Sequence, residues 1–371
     1  MSDWSRPAAL ESLDRAFFSL SGDISRAHRL VKVRRQDEAP RVSSRCGRQN
    51  LLVNTVGTFG VSSASYWWYR LMSGLGRLSY YCHGKDETTL LTYVDDLLWI
   101  TQSGQGLWRI LGTIFLLVAL GTPMAWRKFQ GGQEHGWIGF SLFASRRWVG
   151  ISQRRTDWLV NWFRKTRADG MVRVADMQAV LGRLSFAFSI LPTLRPFLGP
   201  VYAWVGAMQS RHVMPLPKAL SLIFSFLEKA LTDGYRVCEV PRATATTTEY
   251  FRTDARAEGS EMWIGGWCTA DGEHPKQCRW FAEKLDHTKA AVFYMTGQSY
   301  RSIGALEMLA SLVALLLFRP DQDQKGKVRG VVNVCSAGMD NEGNTYALAR
   351  WLTTSFPLIA VLMEFSWFWP I

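Results

Sequence analysis

The sequence has few cysteines and no paired ones. Cys46, Cys82, Cys238, Cys268, Cys278 and Cys335 include no Cys-x-x-Cys pair. That excludes a thioredoxin-type redox motif and zinc sites built on such pairs. It predicts reduced thiols in an intracellular protein, cytoplasmic or nuclear. Low-complexity tracts and internal repeats are also absent, which excludes a solenoid. The opening residues, Met1-Ser2-Asp3-Trp4-Ser5-Arg6, start no apolar signal segment. The charge-free stretch Ile110–Trp126 is shorter than the ~20 residues of a membrane span. Arg109 and Arg127 bound it, and Gly121 and Pro123 interrupt it. It predicts a buried helix ending near Gly121, with a transmembrane helix as the alternative. No membrane partner is expected.

What is present suits a globular protein with a nucleic-acid partner. The 371 residues suffice for two or three domains. They are 47% hydrophobic and 20% charged, enough for a sizeable core. Lys and Arg number 43 against 31 Asp and Glu, a net charge of +12. Such a basic excess fits a polyanion, either nucleic acid or an acidic membrane surface.

Chemistry is concentrated around Tyr93-Val94-Asp95-Asp96. Apolar arms flank it, Leu90-Leu91-Thr92 before and Leu97-Leu98-Trp99-Ile100 after. That pattern predicts strand, two-residue turn, strand. The two carboxylates then stand at the hairpin tip, where Mg²⁺ finds hard oxygen ligands. A polar turn with no further role is the plainer explanation. Upstream, Asp23 follows Ser21-Gly22 and taken alone is a cap or turn residue. Gly57-Thr58-Phe59-Gly60-Val61-Ser62-Ser63-Ala64 is a small-residue loop that leads into an aromatic helix at Ser65–Arg70.

The remainder divides further. Residues 1–151 predict an α+β unit on an antiparallel sheet. Residues 152–241 predict helices, one capped by Thr156 or Asp157, another carrying Met177, Val180, Leu181 and Leu184. Arg242–Thr248 predicts a polar linker. Residues 249–371 open with a strand pair, with Asp254 at the end of the first strand. Glu307 is the only charge between Ser302 and Phe318. A lone carboxylate on so apolar a helix is costly unless paired, neutralised or bound to metal. Asp340 follows the apolar strand Val331–Val334.

The order Asp23 with Ala27-His28, Phe59-Gly60-Val61-Ser62-Ser63-Ala64, Tyr93-Val94-Asp95-Asp96, Lys128, Trp137-Ile138-Gly139-Phe140 resembles the palm of reverse transcriptases. The resemblance implies that Asp23, Asp95 and Asp96 bind two Mg²⁺ ions, with Mn²⁺ as a substitute and Asp96 the more dispensable ligand. It implies that Phe59 and Gly60 lie near the incoming nucleotide and template, and Tyr93 near the primer end. Lys128 would approach the nucleotide phosphates and assist as a general acid. Its plainer role is a solvated basic residue. Residues 152–241 then look like a helical thumb and connection. Ala179–Ala187 and the Pro-rich continuation to Trp204 are similar to the tyrosine-recombinase class of retrotransposons. Asp254, Glu307 and Asp340 in this order resemble α/β ribonuclease H-like domains, in which carboxylates gather around two metals.

The implied partners are an RNA template, a DNA primer and deoxynucleoside triphosphates. The implied activity is RNA-directed DNA synthesis with a weak ribonuclease H function. The alternative is a catalytically inactive retroelement remnant that binds nucleic acid. Only 22 residues precede Asp23, so the expectation is a palm lacking most of its fingers. The family's final ribonuclease H helix and last carboxylate also have no match, so truncation at both ends is expected.

Overall fold

The computed structural model describes residues 17–32, 42–46, 50–53, 56, 62–84, 88–102, 104–208, 212–240, 243–270, 273–318 and 331–368. The chain packs as two compact units, Met1–Trp148 and Val149–Ile371. Together they make a mixed α+β architecture with several antiparallel sheets.

The first unit contains β1 (Phe18–Asp23), β2 (Val42–Cys46), β3 (Asn50–Val53), helix α1 (Ser62–His83), β4 (Thr88–Tyr93), β5 (Asp96–Thr101), helix α2 (Gly104–Ala119), β6 (Gln130–Gly132), β7 (Glu134–Trp137) and β8 (Phe140–Phe143). Its main sheet has the order β4-β5-β1-β6, with antiparallel pairing throughout. Leu97, Leu98 and Trp99 are all buried in succession. An alternating strand would expose every second residue, so β5 is covered on both faces. Trp68 and Met72 of α1 and Ile110, Ile114 and Leu117 of α2 pack with Leu97 and Trp99. These helical positions recur at three- and four-residue spacing, one stripe per helix.

Helix α2 ends at Ala119 and is followed by Gly121 at φ +83°, close to the predicted stop. Its burial is one-sided, which corrects the expectation of a buried helix. Trp108, Leu111, Phe115 and Val118 are exposed. Only one stripe meets the sheet, and a charge-free sequence does not reveal which stripe that is. At 16 residues the helix is ~24 Å long, short of the ~30 Å hydrocarbon core. Among the described residues, the one helical run long and apolar enough to cross a membrane is Ser299–Leu317, and half of that window is buried.

After β9 (Trp148–Ile151), which crosses the boundary between the units, the second unit begins with helices. They are α3 (Gln153–Asp169), α4 (Val174–Ala187), α5 (Gly199–Ala207) and α6 (Lys218–Thr232), with the short strands β10 (Met171–Arg173), β11 (Val213–Pro215) and β12 (Val237–Glu239). Ser152 caps α3, its hydroxyl accepting from the Arg155 N–H. Thr156 and Asp157 lie inside the helix instead of capping it. Thr156 is buried and returns its hydroxyl to the Ser152 carbonyl. Phe163 and Phe224 stack at 5.1 Å between α3 and α6. Both are fully buried. Phe163→Ala is expected to cost ~3–5 kcal/mol, measured as a lower urea midpoint at unchanged slope.

The unit continues with β13 (Ala243–Glu258), β14 (Glu261–Ala270), β15 (Arg279–Leu285), α7 (Ile303–Leu317), β16 (Val331–Gly338), α8 (Glu342–Arg350) and α9 (Leu358–Phe368). The sheet order is β15-β14-β13-β16. β16 runs parallel to β13, and the other pairings are antiparallel. The linker expected at Arg242–Thr248 is mostly strand. Ala243–Thr246 pair with Val331–Val334, and Arg242 lies outside the described residues. Threonine is β-branched and favours a pleated strand once a partner is present. Helix α7 is buried between two layers. Leu306 and Ala310 meet Met262 and Ile264 of the sheet. Met308 and Leu312 meet Val361 and Phe365 of α9.

Candidate metal centres

The first unit brings Asp23 and Asp96 side by side. Asp23 ends β1 and stands opposite Asp96 in the β1–β5 register. Tyr93 stands opposite Asp96 across the β4–β5 hairpin, so Val94 and Asp95 form the turn. Val94 has φ 55°, a left-handed conformation that a β-branched residue adopts at ~1–3 kcal/mol. Two contacts hold it. The Trp68 indole N–H donates to the Val94 carbonyl at 2.6 Å. The Ile24 N–H donates to the Asp95 carbonyl at 2.9 Å. A fully buried tryptophan thus anchors the carboxylate tip to α1. The sequence places Trp68 in an aromatic helix but does not single it out, since Trp67 and Leu71 share the four-residue spacing of Trp68 and Met72 and are exposed.

Asp23 is buried, and the exposed Lys128 ammonium reaches its Oδ2 at 2.7 Å. The Asp23 carbonyl accepts from the Ala125 N–H at 2.8 Å. That bond ties the Trp126–Lys128 turn to the end of β1. The hydrogen bond that Lys128 donates to Asp23, more than the Asp23 charge, raises the Lys128 pKa. Asp96 is also raised, first by burial and then by repulsion from Asp95 and Asp23, with Lys128 opposing. Tyr93 is half exposed. Phe59 and Gly60 lie outside the described residues.

Gly22 has a packing role next to this site. A Cβ there would stand 2.8 Å from the Phe129 ring. Trp99 and Trp126 both stack on that ring, at 6.4 and 5.2 Å. The ring has little room to yield, so Gly22→Ala is expected to destabilise the unit by ~1–3 kcal/mol. Thermal melting followed by tryptophan fluorescence checks this.

The second unit gathers Asp254, Glu307 and Asp340. One carboxylate oxygen from each lies within 4.8 Å of the others. Asp23, Asp95 and Asp96 are not gathered in that way. Asp254 lies within β13, not at its end as the sequence predicts. It still pairs with Gly265 of β14. On the other side the parallel ladder stops at Arg252↔Gly338. Asp254 and Asp340 each follow that last pair by two residues. Both step out where β16 no longer covers β13. Glu307 arrives from α7 and is buried, while Asp254 and Asp340 are exposed.

Burial raises the Glu307 pKa first, and Asp340 and Asp254 add repulsion. A hydrogen bond from Asn341 opposes them. The Asn344 amide donates to Glu307 Oε2 at 3.3 Å and to the Gly304 carbonyl at 2.7 Å. Asn344 is itself buried, and its own N–H is capped by Asn341 Oδ1 at 3.2 Å. Asn344 carries no local mark in the sequence beyond being an asparagine in the first turn of a helix that follows an acidic strand end. A desolvated carboxylate that faces two others is repelled by them unless a proton or a metal intervenes. Their oxygen donors suit Mg²⁺ or Mn²⁺.

Scanned against protein-family models, the chain matches none, and a search of curated proteins finds no match.

Proposed function

We propose that the chain is an RNA-directed DNA polymerase of retroelement type carrying a ribonuclease H-like domain. The observation that carries this reading is the gathered set Asp254, Glu307 and Asp340, delivered by a strand, a helix and a strand end. The Asp23–Asp96 register beside the Val94-Asp95 turn supports the polymerase half. The palm, thumb and ribonuclease H-like assignments belong to this reading, as does a tyrosine-recombinase retrotransposon origin.

Asp254, Glu307 and Asp340 would hold Mg²⁺ or Mn²⁺ in the second unit, and Asp23, Asp95 and Asp96 in the first. When bound, the ions supply charge neutralisation and lower the pKa of an attacking water or hydroxyl. The protein groups do the positioning. Asn344 holds one Glu307 oxygen and so orients the other. Trp68 fixes the turn that carries Asp95. Lys128 places a cation beside Asp23, where triphosphate charge would be met in the polymerase reading. The primer 3′-hydroxyl would attack the α-phosphate of the deoxynucleotide, with pyrophosphate leaving.

Primer extension on an RNA template with Mg²⁺ or Mn²⁺ tests the polymerase half. Cleavage of 5′-labelled RNA in an RNA–DNA hybrid tests the other. A second reading is a remnant that binds nucleic acid without synthesis. The Lys128–Asp23 ion pair favours it, because the ammonium occupies a ligand oxygen. It expects salt-dependent binding and no incorporation.

A further inference from the structure

We infer that the open face of the β13–β14–β15 sheet is a track for one extended strand of nucleic acid, leading to Asp254. The inference rests on the phosphodiester reading of the Asp254–Glu307–Asp340 centre. Residues directly opposite in an antiparallel sheet share a face. The register therefore lays out three rows across the strands. Arg252, Trp267 and Trp280 form one row, and Asp254, Gly265 and Ala282 the next. Arg256, Trp263 and Lys284 form the third.

The outer rows are ridges of arginine, lysine and tryptophan. The middle row is a lane floored by two small residues. A Cβ added to Gly265 would meet only the Phe281 carbonyl, at 3.4 Å, so the floor has free space above it. The lane runs ~10 Å across three strands, and the ridges stand ~13 Å apart, from strand spacing and rise. That width accepts one chain of nucleotides. The opposite face is already used, since Met262 and Ile264 pack on α7.

The ridge chemistry favours nucleic acid. Trp280 is 73% exposed, Trp263 38% and Trp267 36%. Tyr250 braces Trp267 edge-on at 5.5 Å. Bases stack on such aromatic platforms whatever their sequence. Arg252 lies across Gly338, where its Cγ would stand 3.1 Å from an added Cβ. That holds one cation beside the chain turning toward Asp340. Arg256 and Lys284 are paired with Glu258 and Glu261. All four are exposed, and ion pairs in water exchange readily for phosphate.

The test is binding of fluorescein-labelled 12-nucleotide RNA and DNA single strands to the full chain in EDTA, read by anisotropy. No metal takes part, so failure of the metal reading leaves this test intact, and the converse holds. Trp280→Ala is expected to weaken binding by about 5- to 100-fold. Its exposed ring leaves the core untouched. Ala282→Glu puts a carboxylate in the lane from the edge strand and is expected to weaken binding comparably. Arg252→Gln is expected to lower the salt slope by about one. Weaker RNA binding alone, or DNA binding alone, in these variants supports the track and identifies the strand it prefers. Wild-type affinity in both Trp280→Ala and Ala282→Glu overturns it. So does a change in self-association with no change in strand binding, which would assign the face to a second copy.

Discussion

Replacing both hairpin carboxylates, Asp95→Asn with Asp96→Asn, is expected to abolish nucleotide incorporation on a primed RNA template. The loss should exceed the ~10–100-fold that follows removal of an outer hydrogen-bond partner of a metal ligand, because here the ligand oxygens themselves are changed. Asparagine keeps the shape of aspartate and removes its charge. The Trp68 and Ile24 bonds to the turn run to backbone carbonyls, so they survive the substitution. Folding should therefore persist while chemistry is lost. Burial and two neighbouring carboxylates already raise the Asp96 pKa, so the double variant also relieves repulsion in the metal-free protein. Incorporation at the wild-type rate would remove the two residues from the mechanism. Primer extension at saturating Mn²⁺ is the measurement.

Glu307→Gln is the second large effect, and it separates stability from activity. The folded-state pKa of Glu307 lies above its ordinary 4.5. The native state then holds more protons than the unfolded chain as pH rises from about that value. Stability accordingly falls as pH climbs from 4.5 through the raised folded pKa. Glutamine has no proton to lose, so the variant should be the more stable metal-free protein at neutral pH. Its amide also still offers an oxygen to the Asn344 side-chain amide. Saturating Mg²⁺ or Mn²⁺ should reverse the order. A ligand at 100 times its dissociation constant stabilises by ~2.7 kcal/mol, a gain expected for the wild type and absent from the variant. Thermal melts across pH with EDTA, Mg²⁺ or Mn²⁺ measure both parts. Hybrid cleavage should disappear in the same variant. Equal metal-induced shifts in the two proteins would remove Glu307 from the ligand set.

Some of the architecture was legible before any coordinates. The apolar arms on either side of Tyr93-Val94-Asp95-Asp96 specified a hairpin, because two apolar runs broken by a polar turn are a local property, although the turn falls on Val94-Asp95 and Asp96 lies in the second strand. The spacing of Met177, Val180, Leu181 and Leu184 specified α4 for the same reason. Other elements were misread where local chemistry is ambiguous. The threonines up to Thr248 have no helical period and seemed a linker. Their strand depends on β16, more than eighty residues later in the chain. Phe115 and Val118 lie in the charge-free stretch expected to be buried, yet the sheet covers the other stripe of α2.

Which carboxylates are candidates follows from the amino-acid order alone. Glu307 was conspicuous as the lone charge in an apolar helix, and Asp95 and Asp96 as charges between apolar arms. A residue's cost of burial follows from its own chemistry and its near neighbours. Which of those carboxylates meet depends on strand register and helix packing. Asp254 and Asp340 become neighbours because the β13–β16 ladder ends at Arg252↔Gly338, and α7 crosses at the height of that gap. Register and helix packing join segments far apart in the chain, and no local periodicity encodes where such a ladder stops.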